Sequence, residues 1–362
     1  MTMSRALQYV LLMAASAAVS AQSLSALPDY QPRQQVRGTI RSSGDRHMSA
    51  LMRFWEQGFQ KYHPEVRFTD SLRGTASGSY GLEMRTADIA VMGRALNPFE
   101  RYGTYERSWA FPVQIEVATG SLDTEHKSPA LAIFVHKDNP LAKLTVRQLD
   151  GIFGAQRGGG WQALSWVESS ARTSAENIRS WGRLGIRGRY ADKPIHVYGP
   201  PLQGAGVITF FQARVFGGGA MWNEDLREYP DPQRMIADLG RDPYGIAYAP
   251  LCYGTGAVKA IAIADGPDRY VQPTRSSLAD RSYPLSRPVY IDYTIDNAHS
   301  DIANPRVEPT VKEFLRYILS RQGQQDVDRE GAFVPLPPSV VHAQLEQLDS
   351  ERPPGERALL DE

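Results

Sequence analysis

The run Ser42-Ser43-Gly44-Asp45-Arg46-His47 brings two hydroxyls, a carboxylate, a guanidinium and an imidazole together on one short stretch of chain. It follows the β-type Ile40-Arg41 and leads into the apolar-periodic Met48-Ser49-Ala50-Leu51-Met52. A helix leaving such a loop turns unpaired backbone N–H groups and the positive end of its dipole toward the loop, which suits an anion or a small polar ligand. Gly74-Thr75-Ala76-Ser77-Gly78 repeats the pattern with Thr75 and Ser77 as hydroxyl donors, and the turn Gly93-Arg94 follows the apolar Asp88-Ile89-Ala90-Val91-Met92. Each of these residues also has a structural alternative. Asp45 is a natural helix cap, His47 and Arg46 are ordinary solvated loop residues, and Arg94 has Asp88, Glu83 and Asp45 as candidate ion-pair partners.

The elements that would position these loops alternate along the chain. Strands are expected at 36–41, 65–72, 88–92, 130–136, 195–198, 244–249, 257–264 and 289–294. Helices are expected at 48–62, from Gly74, at 145–153, 206–216 and 308–319. In the first helix Leu51, Met52, Trp55, Phe59 and Tyr62 fall at helical spacing, and His63-Pro64 stops it. The succession describes an α/β chain with largely parallel sheets, whose ligands bind at loops on the carboxyl ends of strands. Trp55 and Trp181 are expected as core anchors. Gly158-Gly159-Gly160 and Gly217-Gly218-Gly219 read as flexible turns, because neither ends in the Lys-Ser/Thr of a phosphate-binding loop.

Residues 1–21 have Arg5, then Tyr9-Val10-Leu11-Leu12-Met13-Ala14-Ala15, then Val19-Ser20-Ala21, the pattern of a secretory signal peptide cut after Ala21. Export to the periplasm as a soluble protein follows, with no membrane span expected. Cys252 is the single cysteine, so no intramolecular disulfide can form. With 40 basic and 40 acidic residues the chain lacks the positive field that nucleic acid or anionic lipid would require. There is no His-x-x-x-His helix, Gly-x-Ser-x-Gly elbow or Cys/His cluster, so neither catalysis, a metal nor a cofactor is expected.

Many ordered segments together carry a resemblance: Ser42-Ser43-Gly44 to Trp55, the Gly74 loop, Ala87 to Arg94, Phe134-Val135-His136-Lys137-Asp138-Asn139-Pro140, Trp181-Gly182-Arg183-Leu184-Gly185, Pro194 to Gly199, Gly245-Ile246-Ala247-Tyr248 and Tyr283-Pro284-Leu285. Over about Val36 to Pro338 the chain resembles the periplasmic phosphate-binding proteins of bacterial phosphate-specific ABC transporters, a branch of the type II solute-binding superfamily. The resemblance implies two α/β lobes, 36–117 with 283–342 and 118–282, and a C-terminal tail at 343–362 expected to lack order. It further implies two hinge strands, near Val117 to Thr124 and Ser282 to Pro288, and a ligand cleft between the lobes. Ser43, Gly44, Asp45, Arg46, His47, Thr75, Ser77, Gly93, Arg94, Gln203 and Gly204 are its candidate ligand-binding residues. The partners it implies are a small solute, phosphate or another oxyanion or an altered ligand, and an ABC permease or other envelope protein. A monomer is expected.

The departures from that family lie in the same loops. Asp45 puts a carboxylate at the first helix start, where it repels a phosphate dianion. Gly93 stands where a hydroxyl or carboxylate is common. Pro200-Pro201-Leu202-Gln203-Gly204-Ala205-Gly206-Val207 replaces a segment that in the family supplies an Arg and two hydroxyls. Scaffold segments match while contact segments do not, which implies a changed ligand or a lost one. The alternative function is a binding-protein fold kept as a sensory or protein-interaction module.

Overall fold

A computed structural model describes residues 24–108, 111–162, 165–202, 206–295 and 308–350. The leader and its cleavage site lie outside the described residues, as do Gln203, Gly204 and the end of the tail. The chain runs β1 (Gly38–Gly44), α1 (Ser49–Gln60), β2 (Val66–Ser71), α2 (Thr75–Glu83), β3 (Ile89–Met92), α3 (Pro98–Ser108) and β4 (Val113–Thr119). It continues through β5 (Leu131–His136), β6 (Lys143–Thr145), α4 (Val146–Phe153), β7 (Gly160–Gln162), β8 (Ser165–Val167), β9 (His196–Gly199) and α5 (Gly206–Val215). Then come β10 (Arg227–Glu228), α6 (Pro232–Leu239), β11 (Gly245–Pro250), β12 (Val258–Ala260), β13 (Ala262–Ala264) and α7 (Arg275–Ala279). The described chain ends with β14 (Pro288–Tyr293), α8 (Glu308–Ile318), α9 (Arg321–Glu330) and α10 (Pro338–Ser350).

Its contacts divide it into two compact units. One holds the described residues up to Gly120, Leu278–Arg281 and the described residues from Pro288 on; the other holds the described residues of Ser121–Ser277 and Ser282–Arg287. In the first unit the sheet order is β2-β1-β3-β14-β4, and α1 lays Leu51, Met52, Trp55 and Phe59 into a core shared with Ile40, Ile89, Val91, Ile115 and Phe314. Trp55 is fully buried and its Nε1 donates to Gly323 O at 3.0 Å, the anchor expected of it. The second unit has the sheet β10-β9-β11-β5-β12, with Trp181 likewise buried and bonded to Tyr244 O.

Each five-stranded sheet runs largely in one direction, as expected, with one strand reversed. β1 runs parallel to β2 and β3, but β14 is antiparallel to β3 and β4. β14 enters from the other unit instead of through a strand–helix–strand crossover, so the chirality rule for parallel connections does not bind it. In the second unit β5 is antiparallel to β11 and β12. The single strand expected at 257–264 divides at the buried Ile261: β12 pairs with β5, and β13 pairs with β6 in another sheet.

Two other expectations change. Residues 343–350, placed in the tail, continue α10, whose Val341 and Leu348 are buried in the first core and whose Asp349 pairs with Arg33 and Arg316. The triple-glycine runs are a backbone contact instead of loose turns. Trp161 N donates to Gly218 O, and a Cβ on Gly218 would come 1.6 Å from Trp161 O, so only glycine permits the approach.

Candidate functional site

Three of the expected loops meet at the carboxyl end of β1. Asp45 N donates to Val91 O and Gly74 N donates to Gly44 O, both at 2.8 Å, which ties the β1 and β3 ends to the start of α2. Gly44 has φ +141°, and a Cβ there would sit 2.0 Å from Val91 O. α2 lies close because it presents Gly78 and Gly81, whose added Cβ atoms would meet Met92 Sδ at 2.7 Å and Ser43 Cβ at 2.8 Å. Small residues in this helix start thus serve a close approach.

The hydroxyls are partly committed. Ser43 Oγ donates to Ser77 O at 2.7 Å and lies 3.3 Å from Ser77 Oγ, which itself donates to Gly74 O at 2.8 Å. Ser43 and Ser77 therefore lock the loop pair. Thr75, half-buried at the first position of α2, has the least committed hydroxyl and stands beside the N–H groups that the helix leaves unpaired.

The first helix starts differently from expectation. Arg46–Met48 form a 3-10 turn and α1 begins only at Ser49, after Met48, which offers no capping side chain. Asp45 caps the turn by accepting from His47 N at 2.9 Å, so its structural role is real and its carboxylate stays at the loop. It is nearly buried, Arg46 is exposed, and the Arg46 Nε to His47 Nε2 distance is 3.5 Å. Gly93 lies buried in the bend after β3.

Arg94 pairs with none of Asp88, Glu83 or Asp45. Its two terminal nitrogens grip Glu100 at 2.7 Å each, with 11% and 15% of the two side chains exposed. Asp88 belongs to Arg41. Glu100 also accepts from Asn97 N at 2.9 Å and from Ser79 Oγ at 3.3 Å. Burial would raise the Glu100 carboxyl, but the hydrogen bonds and charge of Arg94 outweigh it and hold it below the usual carboxylate range. A guanidinium held by both faces of a carboxylate is a poor clamp for a second anion. Glu100 was missed at the level of sequence, although Asn97-Pro98-Phe99-Glu100 carries its signal: a capping box with proline at the first helical position, here closed by Glu100 N to Asn97 Oδ1 at 3.0 Å.

The fold therefore brings the candidates Ser43, Gly44, Asp45, Thr75, Ser77 and Gly93 into one loop cluster, with Arg94 engaged by Glu100 and Arg46 exposed beside His47. The cluster offers backbone N–H groups, one hydroxyl and one carboxylate, and suits a polar solute better than a dianion. Among the described residues no group of three or more His, Cys, Asp or Glu is placed to hold a metal ion. Among the same residues no helix is long and apolar enough to cross a membrane.

Comparison with known proteins gives a consistent pattern. Residues 30–322 match the family described as PBP superfamily domain. The phosphate-binding protein PstS of Pseudomonas aeruginosa is 28% identical over 324 residues, covering 89% of this chain and 91% of that protein. Protein SphX of Synechococcus elongatus is 22% identical, covering 91% and 86%. Among solved structures, PstS from Borrelia burgdorferi gives a TM-score of 0.53 at 16% identity, covering 83% of this chain and 99% of that one. The ABC-type phosphate transport receptor from Vibrio cholerae gives 0.51 at 20% identity, covering 82% and 99%. These two structures support the fold.

Proposed function

The chain belongs to the PBP superfamily domain family, and from that premise we propose that it is the solute-binding component of an ABC importer of the phosphate type, with a ligand less charged than the phosphate dianion. The relatives named for phosphate binding support the transport class. The bidentate Arg94–Glu100 pair carries the second half of the reading, because it removes the one guanidinium of the β3 turn from ligand contact. Thr75, the first N–H groups of α2 and the backbone around Gly44 hold the solute. Asp45 favours a solute that can donate a hydrogen bond. Binding and delivery to a permease require no catalysis, and the protein works as a monomer in the periplasm after loss of residues 1–21.

Native mass spectrometry of protein purified from its own periplasm tests export and cargo in one spectrum. The expected result is a mature chain starting at Gln22 that carries one small adduct, released on mild activation. An intact Met1 would remove the periplasmic role. A bare mature chain under every gentle condition would move the reading to the sensory or interaction module.

A further inference from the structure

A second cluster of charge lies in the other unit. Asp150 on α4 faces two arginines. Arg157 takes both its oxygens, Nη1 to Oδ1 at 2.8 Å and Nη2 to Oδ2 at 2.6 Å, and its Nε donates to Ser170 O. Arg172 Nε comes within 3.2 Å of the same Oδ1, yet none of its three nitrogens makes a hydrogen bond. The two arginine side chains are only 5% and 4% exposed. Arg179, close enough to feel the charge of Arg172, has its own donors on the carbonyls of Gly151, Ile152 and Gly154, with Glu224 and Asp225 offsetting it.

Arg157 and Arg172 thus share one carboxylate, which leaves one buried positive charge in excess. Arg172 forms part of the wall of a cavity of about 470 Å³, together with Gln156, Arg157, Gly158, Thr173 and Glu176. Glu176 attracts Arg172 through its charge but makes no hydrogen bond to it, because its carboxylate oxygens are taken by Thr173 N and by Arg147 Nη2, each at 3.0 Å. Trp166 covers Gly159, next to the wall residue Gly158, and meets Trp161 edge-on at 5.7 Å, with both indoles well exposed.

A buried guanidinium that makes no hydrogen bond is costly, and its planar fork is matched by a carboxylate. We propose that this cavity of the second unit is an anion site that takes a small monocarboxylate, recognised by Arg172. One negative charge completes the balance among Asp150, Arg157 and Arg172. A dianion would leave surplus negative charge beside Asp150 and Glu176.

The test is a titration of isotopically labelled protein with sodium acetate, against sodium chloride at equal ionic strength, read at the Nε–H signal of Arg172 and the indole N–H of Trp166. Acetate should move both signals saturably while chloride does not, and Arg172→Gln should weaken the acetate response at Trp166 at least tenfold. The contrast between acetate and chloride in the unaltered protein decides the matter even where Arg172→Gln does not fold. Equal responses to the two salts, or none, would overturn the proposal and leave a water-filled cavity.

Discussion

Gly44→Ala is expected to destabilise the first unit by about 3 kcal/mol or more, since a residue with a side chain at positive φ costs roughly 1–3 kcal/mol and overpacking adds a similar amount. The new Cβ would lie 2.0 Å from Val91 O and 2.8 Å from Val91 N, atoms of β3 that cannot move without disturbing a central strand. The same shift would break the Gly74 N to Gly44 O bond that sets α2 against β1. Melting temperature is the readout. At roughly 2–4 °C per kcal/mol the fall should approach about 10 °C. A variant that melts like the parent would show that the loop junction is not the tight point described.

Glu100→Gln is the second large effect. It keeps the size and most hydrogen-bonding capacity of the side chain but leaves the Arg94 guanidinium without its counter-charge, and breaking a mostly buried pair in this way costs about 3–5 kcal/mol. Converting both residues to methionine should restore a substantial part of that loss, because no buried charge is then stranded. The pH dependence has a definite sign. Arg94 holds the Glu100 carboxyl below its unfolded value, so its contribution is fully present above the unfolded carboxylate range and disappears as pH falls through the folded value. Urea midpoints of parent and variant should therefore differ widely at pH 7 and converge in acid. A constant gap down to pH 3 would mean that the pair is not the origin of the difference.

The scaffold was legible in the sequence because its signals are local and periodic. Leu51, Met52, Trp55 and Phe59 gave α1 its buried face, and the glycines at 44, 74 and 78 marked the junction where the first and second helices meet β1. What sequence could not reveal depended on which strands meet in space. β14 pairs antiparallel between β3 and β4 only because the chain comes back from another unit, and Ile261 divides one apolar run between two sheets. The fate of Arg94 was hidden for the same reason. Asp88, Glu83 and Asp45 were all eligible by chemistry, while the true partner stands on a helix whose only clear signal is its Asn97 cap. Asp45 takes the capping role read for it, at the 3-10 turn ahead of α1 instead of at the helix itself.

The most direct measurement is thermal unfolding in 1 mM phosphate against chloride at equal ionic strength. A site with a dissociation constant near 1 μM would gain about 4 kcal/mol at that concentration, a shift of several degrees or more. With Arg94 bound to Glu100 and Asp45 at the loop, almost no shift is expected. A clear rise in melting temperature with phosphate that vanishes in Thr75→Ala would contradict it, and would show that the loops of the first unit hold a dianion without a free guanidinium.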